Sequence, residues 1–153
     1  MGPSLRGDVL LILKRTFLAA GHVKPTRPIP HLGDPAGDRR AILEILLQRE
    51  KLGSTAVGNG VAIPHGKLPK LGRLFGLFAR LQRSIDFEAL DGQPVDLIFL
   101  LLAPEAAGAD HLKALARVAR LLRDPEIARK LRDSRDADAL YAVLAMPAAS
   151  SAA

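Results

Sequence analysis

The chain reads as short apolar runs divided by breaks rich in glycine and proline, and the spacing within each run separates helix-like from strand-like segments. Near the start, Val9-Leu10-Leu11-Ile12-Leu13 is bounded by Asp8 and by Lys14-Arg15. That is too short for an exported leader or a membrane span, so residues 1–20 are expected to carry a short helix packed on a domain. Residues 21–38 contain Pro25, Pro28, Pro30 and Pro35 without apolar periodicity, which predicts an irregular loop or linker. Asp38 is placed to cap a helix whose apolar face is Ile42, Ile45 and Leu46. Gly53 to Gly60, with Ser54, Thr55 and Asn59, is turn and loop chemistry rich in free backbone N–H groups.

Beyond that loop, Val61-Ala62-Ile63 predicts a brief buried strand stopped by Pro64. Leu74–Leu81 predicts a second strand and Ile85-Asp86-Phe87 a short edge strand. Gly92-Gln93-Pro94 turns the chain into Val95–Leu102, an almost unbroken apolar run closed by Pro104. Such a run fits a strand buried on both faces, at the centre of a sheet. A helix is expected from about Asp110, its N-cap, with Leu112, Leu115, Val118, Ala119 and Leu122 inward and Lys113, Arg117, Arg120 and Arg123 outward. The basic row is read first as a solvated face, and alternatively as a docking stripe for an acidic partner. Helices at Pro125–Leu131 and Asp136–Leu144 follow, then a frayed tail from Met146. Strands with helices between and after them make the fold α/β, with strand order left open.

Composition changes this picture little. A chain of 153 residues with 48% apolar and 25% charged residues is one globular domain with a sizeable core. The net charge of +6 invites a nucleic-acid reading. Residues 1–53 hold nine Lys/Arg against five Asp/Glu, however, and the remainder thirteen against eleven. With 4% aromatic residues there are few platforms for stacking bases, so nucleic-acid binding would rest on the N-terminal third. There is no cysteine, which excludes disulfides and thiolate metal sites and suits a reducing cytoplasm. His22, His31, His65 and His111 lie far apart without metal-ligand spacing, so neither metal nor cofactor is expected.

Candidate chemistry centres on His65, between Pro64 and Gly66. There the backbone is fixed while the ring reaches solvent, which suits a reactive imidazole and equally a surface turn that happens to carry a histidine. Arg49 falls in the last turn of its helix, where a cation also serves the helix dipole. No Walker-type Gly-Lys-Ser/Thr sequence is present, which argues against direct use of ATP.

The wording Arg49-Glu50-Lys51-Leu52-Gly53-Ser54-Thr55, then Gly58-Asn59-Gly60-Val61-Ala62-Ile63-Pro64-His65-Gly66-Lys67, resembles the active-site signature of phosphotransferase-system enzyme IIA domains of the fructose/mannitol type (type 2). It is most similar to the nitrogen-regulatory branch of that family. The resemblance continues through Asp86-Phe87, Asp91-Gly92-Gln93-Pro94-Val95-Asp96 and Asp110-His111-Leu112 to about Leu144. It implies a mixed sheet with helices on both faces, and a phosphohistidine at His65 on the tele nitrogen, although the sequence itself does not choose between the ring nitrogens. It further implies that Arg49 and His111 line the phosphoryl pocket, with Ser54, Thr55, Gly58, Asn59 and Gly60 in support. The implied donor is a phosphohistidine carrier protein of the HPr or NPr kind, and the implied role is regulation of target proteins through phosphorylation state, in the cytoplasm. The alternatives are a catalytically silent binding module, or a sugar-system component that passes phosphate to a IIB domain. Domain boundaries follow from the same likeness: a divergent or truncated N-terminal region at 1–37, the IIA domain at 38–146 and a flexible tail at 147–153. The strand and the Ser-Lys-opened helix that begin this family's domains have no counterpart in residues 1–37.

Overall fold

The computed structural model describes residues 35–145. Their elements are α1 (Pro35–Lys51), β1 (Ala56–Gly58), β2 (Val61–Ala62), β3 (His65–Leu68), β4 (Phe75–Ile85), β5 (Val95–Pro104), a 3-10 turn (Glu105–Ala107), α2 (Ala109–Arg123), α3 (Pro125–Asp133) and α4 (Ala137–Leu144). The helix expected in residues 1–20, the stretch 21–34 and the tail lie outside the described residues.

β5 is the strand on which the sheet is built. β4 pairs with it antiparallel along one side, while β2 and β3 pair with it in parallel along the other. Val61 lies opposite Leu97 and His65 opposite Leu101, so β2 and β3 keep one register and act as a single strand interrupted at Ile63-Pro64. The ladder crosses the interruption, because Leu101 N–H donates to the Pro64 carbonyl at 2.9 Å. The missing N–H of Pro64 therefore costs no contact made by Leu101. β1 folds back antiparallel on β2. The connection needs left-handed backbone at Gly58, Asn59 and Gly60 (φ 98°, 55° and 76°), which glycine adopts without penalty and asparagine tolerates.

Side chains alternate across β5, and both of its faces are covered. Leu100 and Leu102 join Ile42 and Leu46 of α1, together with Leu68 and Leu71. Leu97 joins Val61, Ile63, Leu122, Ala128 and Leu131 beneath α2 and α3. A third cluster, Ala62, Phe87, Val95 and Ile98, closes the end near β1. At about 1.5–3 kcal/mol for each fully buried aliphatic side chain, this double cover is why the run had to be apolar almost throughout. The α/β class, the mixed sheet with helices on both faces and the central place of the Val95 run agree with expectation.

Several local expectations need correction. The first helix begins at Pro35 instead of Asp38, since a proline's fixed φ and absent N–H suit a first helical turn. Residues 35–38, expected to be irregular, are therefore helical. Ile85 ends β4, opposite Val95, and Asp86-Phe87 is not a strand. His65 opens β3 instead of following the end of a strand. The long helix starts at Ala109 with Gly108 as its N-cap, so Asp110 stands in the first turn. On that helix His111 is buried and Leu112 is 65% exposed. The fourth-helix reading is accurate, with Asp136 as N-cap accepting from Ala139 N–H at 2.8 Å. Among the described residues, no helix is long and apolar enough to cross a membrane.

Candidate active site

α1 lies directly on β3 because Gly66 has no side chain; a methyl group there would overlap Ile45. Arg49 is one turn beyond Ile45 on the same helix face, which carries its guanidinium over the neighbouring residue, His65. Arg49 Nε donates to His65 Nε2 at 3.3 Å, and Arg49 Nη1 donates to the Gly53 carbonyl at 3.0 Å.

The other ring nitrogen is also fixed. His65 Nδ1 lies 2.8 Å from the carbonyl of Ile63, and a carbonyl can only accept. Nδ1 therefore carries the proton, and Nε2 carries the lone pair toward which Arg49 points. The two contacts agree on a single tautomer. The partly exposed ring thus presents a nucleophilic nitrogen next to a permanent cation.

His111 supplies a contrasting neighbour. Its ring centroid is 5.8 Å from that of His65, at an interplanar angle of 48°. It is 7% exposed, and its Nε2 is buried without a hydrogen-bond partner among the described residues. Burial pushes its pKa below the ordinary histidine value, helped by the charges of His65 and Lys67 nearby. A neutral His111 is the result at physiological pH. It stands in the first turn of α2, whose N-terminus has no side-chain cap, leaving that helix end available to negative charge.

The remaining expected residues hold the loop in shape. Ser54 Oγ donates to the Phe87 carbonyl at 3.0 Å and accepts from Ala56 N–H at 3.2 Å. Thr55 is buried, and its N–H and hydroxyl both donate to the Glu50 carboxylate, at 2.8 and 2.6 Å. Asn59 N–H donates to Asp91 at 3.0 Å and its carbonyl accepts from Arg132 at 2.7 Å. Donation by Asn59 N–H, and next by Gln93 N–H at 3.1 Å, holds the Asp91 pKa below the usual carboxylate value. Gly60 is packed against Arg132 and Asp96, with no room for a Cβ. The Gly58–Gly60 turn precedes His65 by the length of β2 and its break, so the structure brings Arg49, His65 and His111 together while this turn anchors the hairpin. Glu50, Asp91 and Asp96 stand within the motifs quoted for the resemblance but were given no role there, and Arg132 lies outside them. The Gly92-Gln93-Pro94 turn was visible in the sequence, but one partner of the Asp91 carboxylate beside it is 32 residues away. The row Lys113, Arg117, Arg120 and Arg123 is exposed throughout, and among the described residues only Lys113 has a carboxylate near it, Asp110 at 3.9 Å. Among the described residues, no group of three or more His, Cys, Asp or Glu side chains could hold a metal ion.

The mixed α/β sheet thus sets one imidazole at the start of a parallel strand, beside an arginine and a second imidazole. The chain belongs to the family described as phosphoenolpyruvate-dependent sugar phosphotransferase system, EIIA 2, whose model matches residues 31–146. Within it the chain is similar to a nitrogen regulatory protein of Bradyrhizobium diazoefficiens, 76% identical over 115 residues and covering 75% of each chain. It is 44% identical over 110 residues to a nitrogen regulatory protein of Pseudomonas aeruginosa, covering 72% of this chain and 71% of that one. The crystal structure of nitrogen regulatory protein IIA-Ntr from Neisseria meningitidis superposes with a TM-score of 0.67 at 40% identity, over 69% of this chain and 73% of that one. The nitrogen-regulatory likeness read from the signature thus agrees with these relatives.

Proposed function

We propose that the protein is a phosphoryl carrier and regulator of the nitrogen-related phosphotransferase type, with His65 Nε2 as its phosphoryl acceptor. The observation that carries this reading is the paired fixation of the ring: Nδ1 donates to Ile63 while Nε2 keeps its lone pair beside Arg49. The donor is a phosphohistidine carrier protein of the HPr or NPr kind, working in the cytoplasm. In the transfer, the N–P bond of the donor breaks as the bond from Nε2 to phosphorus forms. The positive charge that grows on the His65 ring is eased by the Ile63 carbonyl, which stays bonded to Nδ1–H. The donor ring leaves with the electron pair of its broken bond, so no net proton has to be delivered.

Arg49 has three N–H bonds beyond those to His65 and Gly53 to offer the phosphoryl oxygens, and a fixed cation aimed at growing negative charge is the main source of acceleration in such transfers. His111 Nε2, as the N–H of a neutral ring, and the uncapped start of α2 offer the next donors to the phosphoryl oxygens. Regulation follows because a dianion at the rim of β3 alters the surface that any target meets. The test is intact mass after incubation with phosphoenolpyruvate, enzyme I and the carrier protein. A single acid-labile phosphoryl adduct on wild type, absent in His65→Ala, is expected. A folded wild type that takes up no phosphoryl group would instead support the silent binding module.

A further inference from the structure

Arg49 and Glu50 are consecutive residues at the end of α1, and their side chains take hold of opposite ends of one hydrogen-bonded circuit. Arg49 reaches Nε2 of His65. Glu50 turns the other way and grips Thr55, accepting the backbone N–H on Oε1 at 2.8 Å and the hydroxyl on Oε2 at 2.6 Å. The carbonyl of Thr55 accepts from Ile63 N–H at 3.0 Å. The carbonyl of that same Ile63 then accepts from His65 Nδ1 at 2.8 Å. Thr55 and Ile63 are buried at 5% and 1% exposure, so neither finds water as a substitute partner.

From this circuit we infer that Glu50 is a positioning residue for His65: by fixing Thr55 it fixes the backbone of Ile63, and so dictates which ring nitrogen carries the proton. Its effect is exerted through two buried residues, without contact with the imidazole. The inference rests on the proposed role of Nε2 as nucleophile for its functional meaning. Its physical content, the tautomer, stands apart from that role. A free imidazole favours the proton on Nε2, the arrangement in which that nitrogen has no lone pair to offer. Holding the Ile63 carbonyl beside Nδ1 reverses that preference, and the carboxylate is what ties the carbonyl's neighbourhood to the end of α1.

Glutamine in place of Glu50 preserves the hold, since its amide oxygen can take the Thr55 N–H while its NH2 donates to the hydroxyl oxygen. Alanine cannot. Wild type, Glu50→Gln and Glu50→Ala, each labelled with 15N on histidine, are therefore compared by long-range 1H–15N NMR of the His65 ring, with rates of phosphoryl uptake measured in parallel. Wild type and Glu50→Gln are expected to show protonated Nδ1 and unprotonated Nε2. Glu50→Ala is expected to shift toward a mixture of tautomers, with uptake slowed at least about tenfold, the effect of losing one charge-assisted hydrogen bond. Should Glu50→Ala fail to fold, Thr55→Val removes the hydroxyl contact with little change of shape, and its ring signals are expected to shift in the same direction. An unchanged His65 tautomer in every folded variant would overturn the inference, as would Glu50→Gln shifting as far as Glu50→Ala. The ring signals need no phosphoryl donor, so a wild type that takes up no phosphate would sink the proposed function and leave this test intact.

Discussion

His65 and His111 are the same side chain in two regions of the molecule, and the difference between them explains the division of labour at the site. At the start of β3, His65 has a partner for each ring nitrogen, Ile63 on one side and Arg49 on the other. At the start of α2, His111 is more deeply buried and its Nε2 has no partner among the described residues. A buried polar atom left without a hydrogen bond costs about 1–3 kcal/mol, so its persistence needs a reason. Under the proposed function an incoming phosphoryl oxygen supplies one: the first histidine is then the one prepared for attack, and the second the one that meets the product.

The sharpest way to break this contrast is through the cation on the His65 side. Arg49→Gln should lower the rate of phosphoryl uptake by about 10²–10³-fold, the usual cost of removing one preorganised donor from a developing anion. Arg49→Lys should recover part of that loss, since it restores charge without the planar fork. Quenched-flow uptake from the phosphorylated carrier measures both.

On the other side, His111→Gln should cost only about tenfold, because it removes one hydrogen bond to a charged group of about 1.5 kcal/mol and leaves the nucleophile untouched. The same variant tests burial. The folded state depresses the His111 pKa, so the unfolded chain binds that proton more readily. The contribution of His111 to stability is therefore complete above the unfolded histidine value near 6.5 and declines as pH falls below it. Urea titrations at pH 5.5 and 7.5 should show a smaller acid loss in His111→Gln than in wild type.

The smallest effect on rate is expected at Arg132, a guanidinium that resembles Arg49 but is already committed. It donates to both Asp96 oxygens at 2.9 and 2.8 Å and to the Asn59 carbonyl. Arg132→Met should cost about 1–3 kcal/mol in denaturant titration by stranding those acceptors, while phosphoryl uptake by the folded fraction stays near wild type. A large loss of rate at full folding would show that the hairpin turn belongs to the site after all.

How much of this was legible in the sequence depended on range. β5 could be read because both of its faces are covered, which leaves an apolar run interrupted only by Asp96. His65 and Arg49 could be read because the signature wording is contiguous. The first turn of α2 could not, although Leu115, Val118, Ala119 and Leu122 face inward as read. Counting leucines put Leu112 inside, yet His111, Leu115, Val118 and Leu122 recur at four, three and four residues and form the inward stripe, with the histidine taking a place that apolarity alone would not assign to it. The loop anchors were also hidden, because Arg132 meets Asp96 and Asn59 from 36 and 73 residues away. Nothing in local pattern announces a pairing at that distance.

The most direct test of the account is the position of phosphorus on the His65 ring. Protein labelled with 15N on histidine, phosphorylated by its carrier and examined by long-range 1H–15N and 31P NMR, should carry the phosphoryl group on Nε2, with the proton still on Nδ1. Phosphorus on Nδ1, or on His111, would contradict the claim that the Ile63 carbonyl and Arg49 together select the nucleophile.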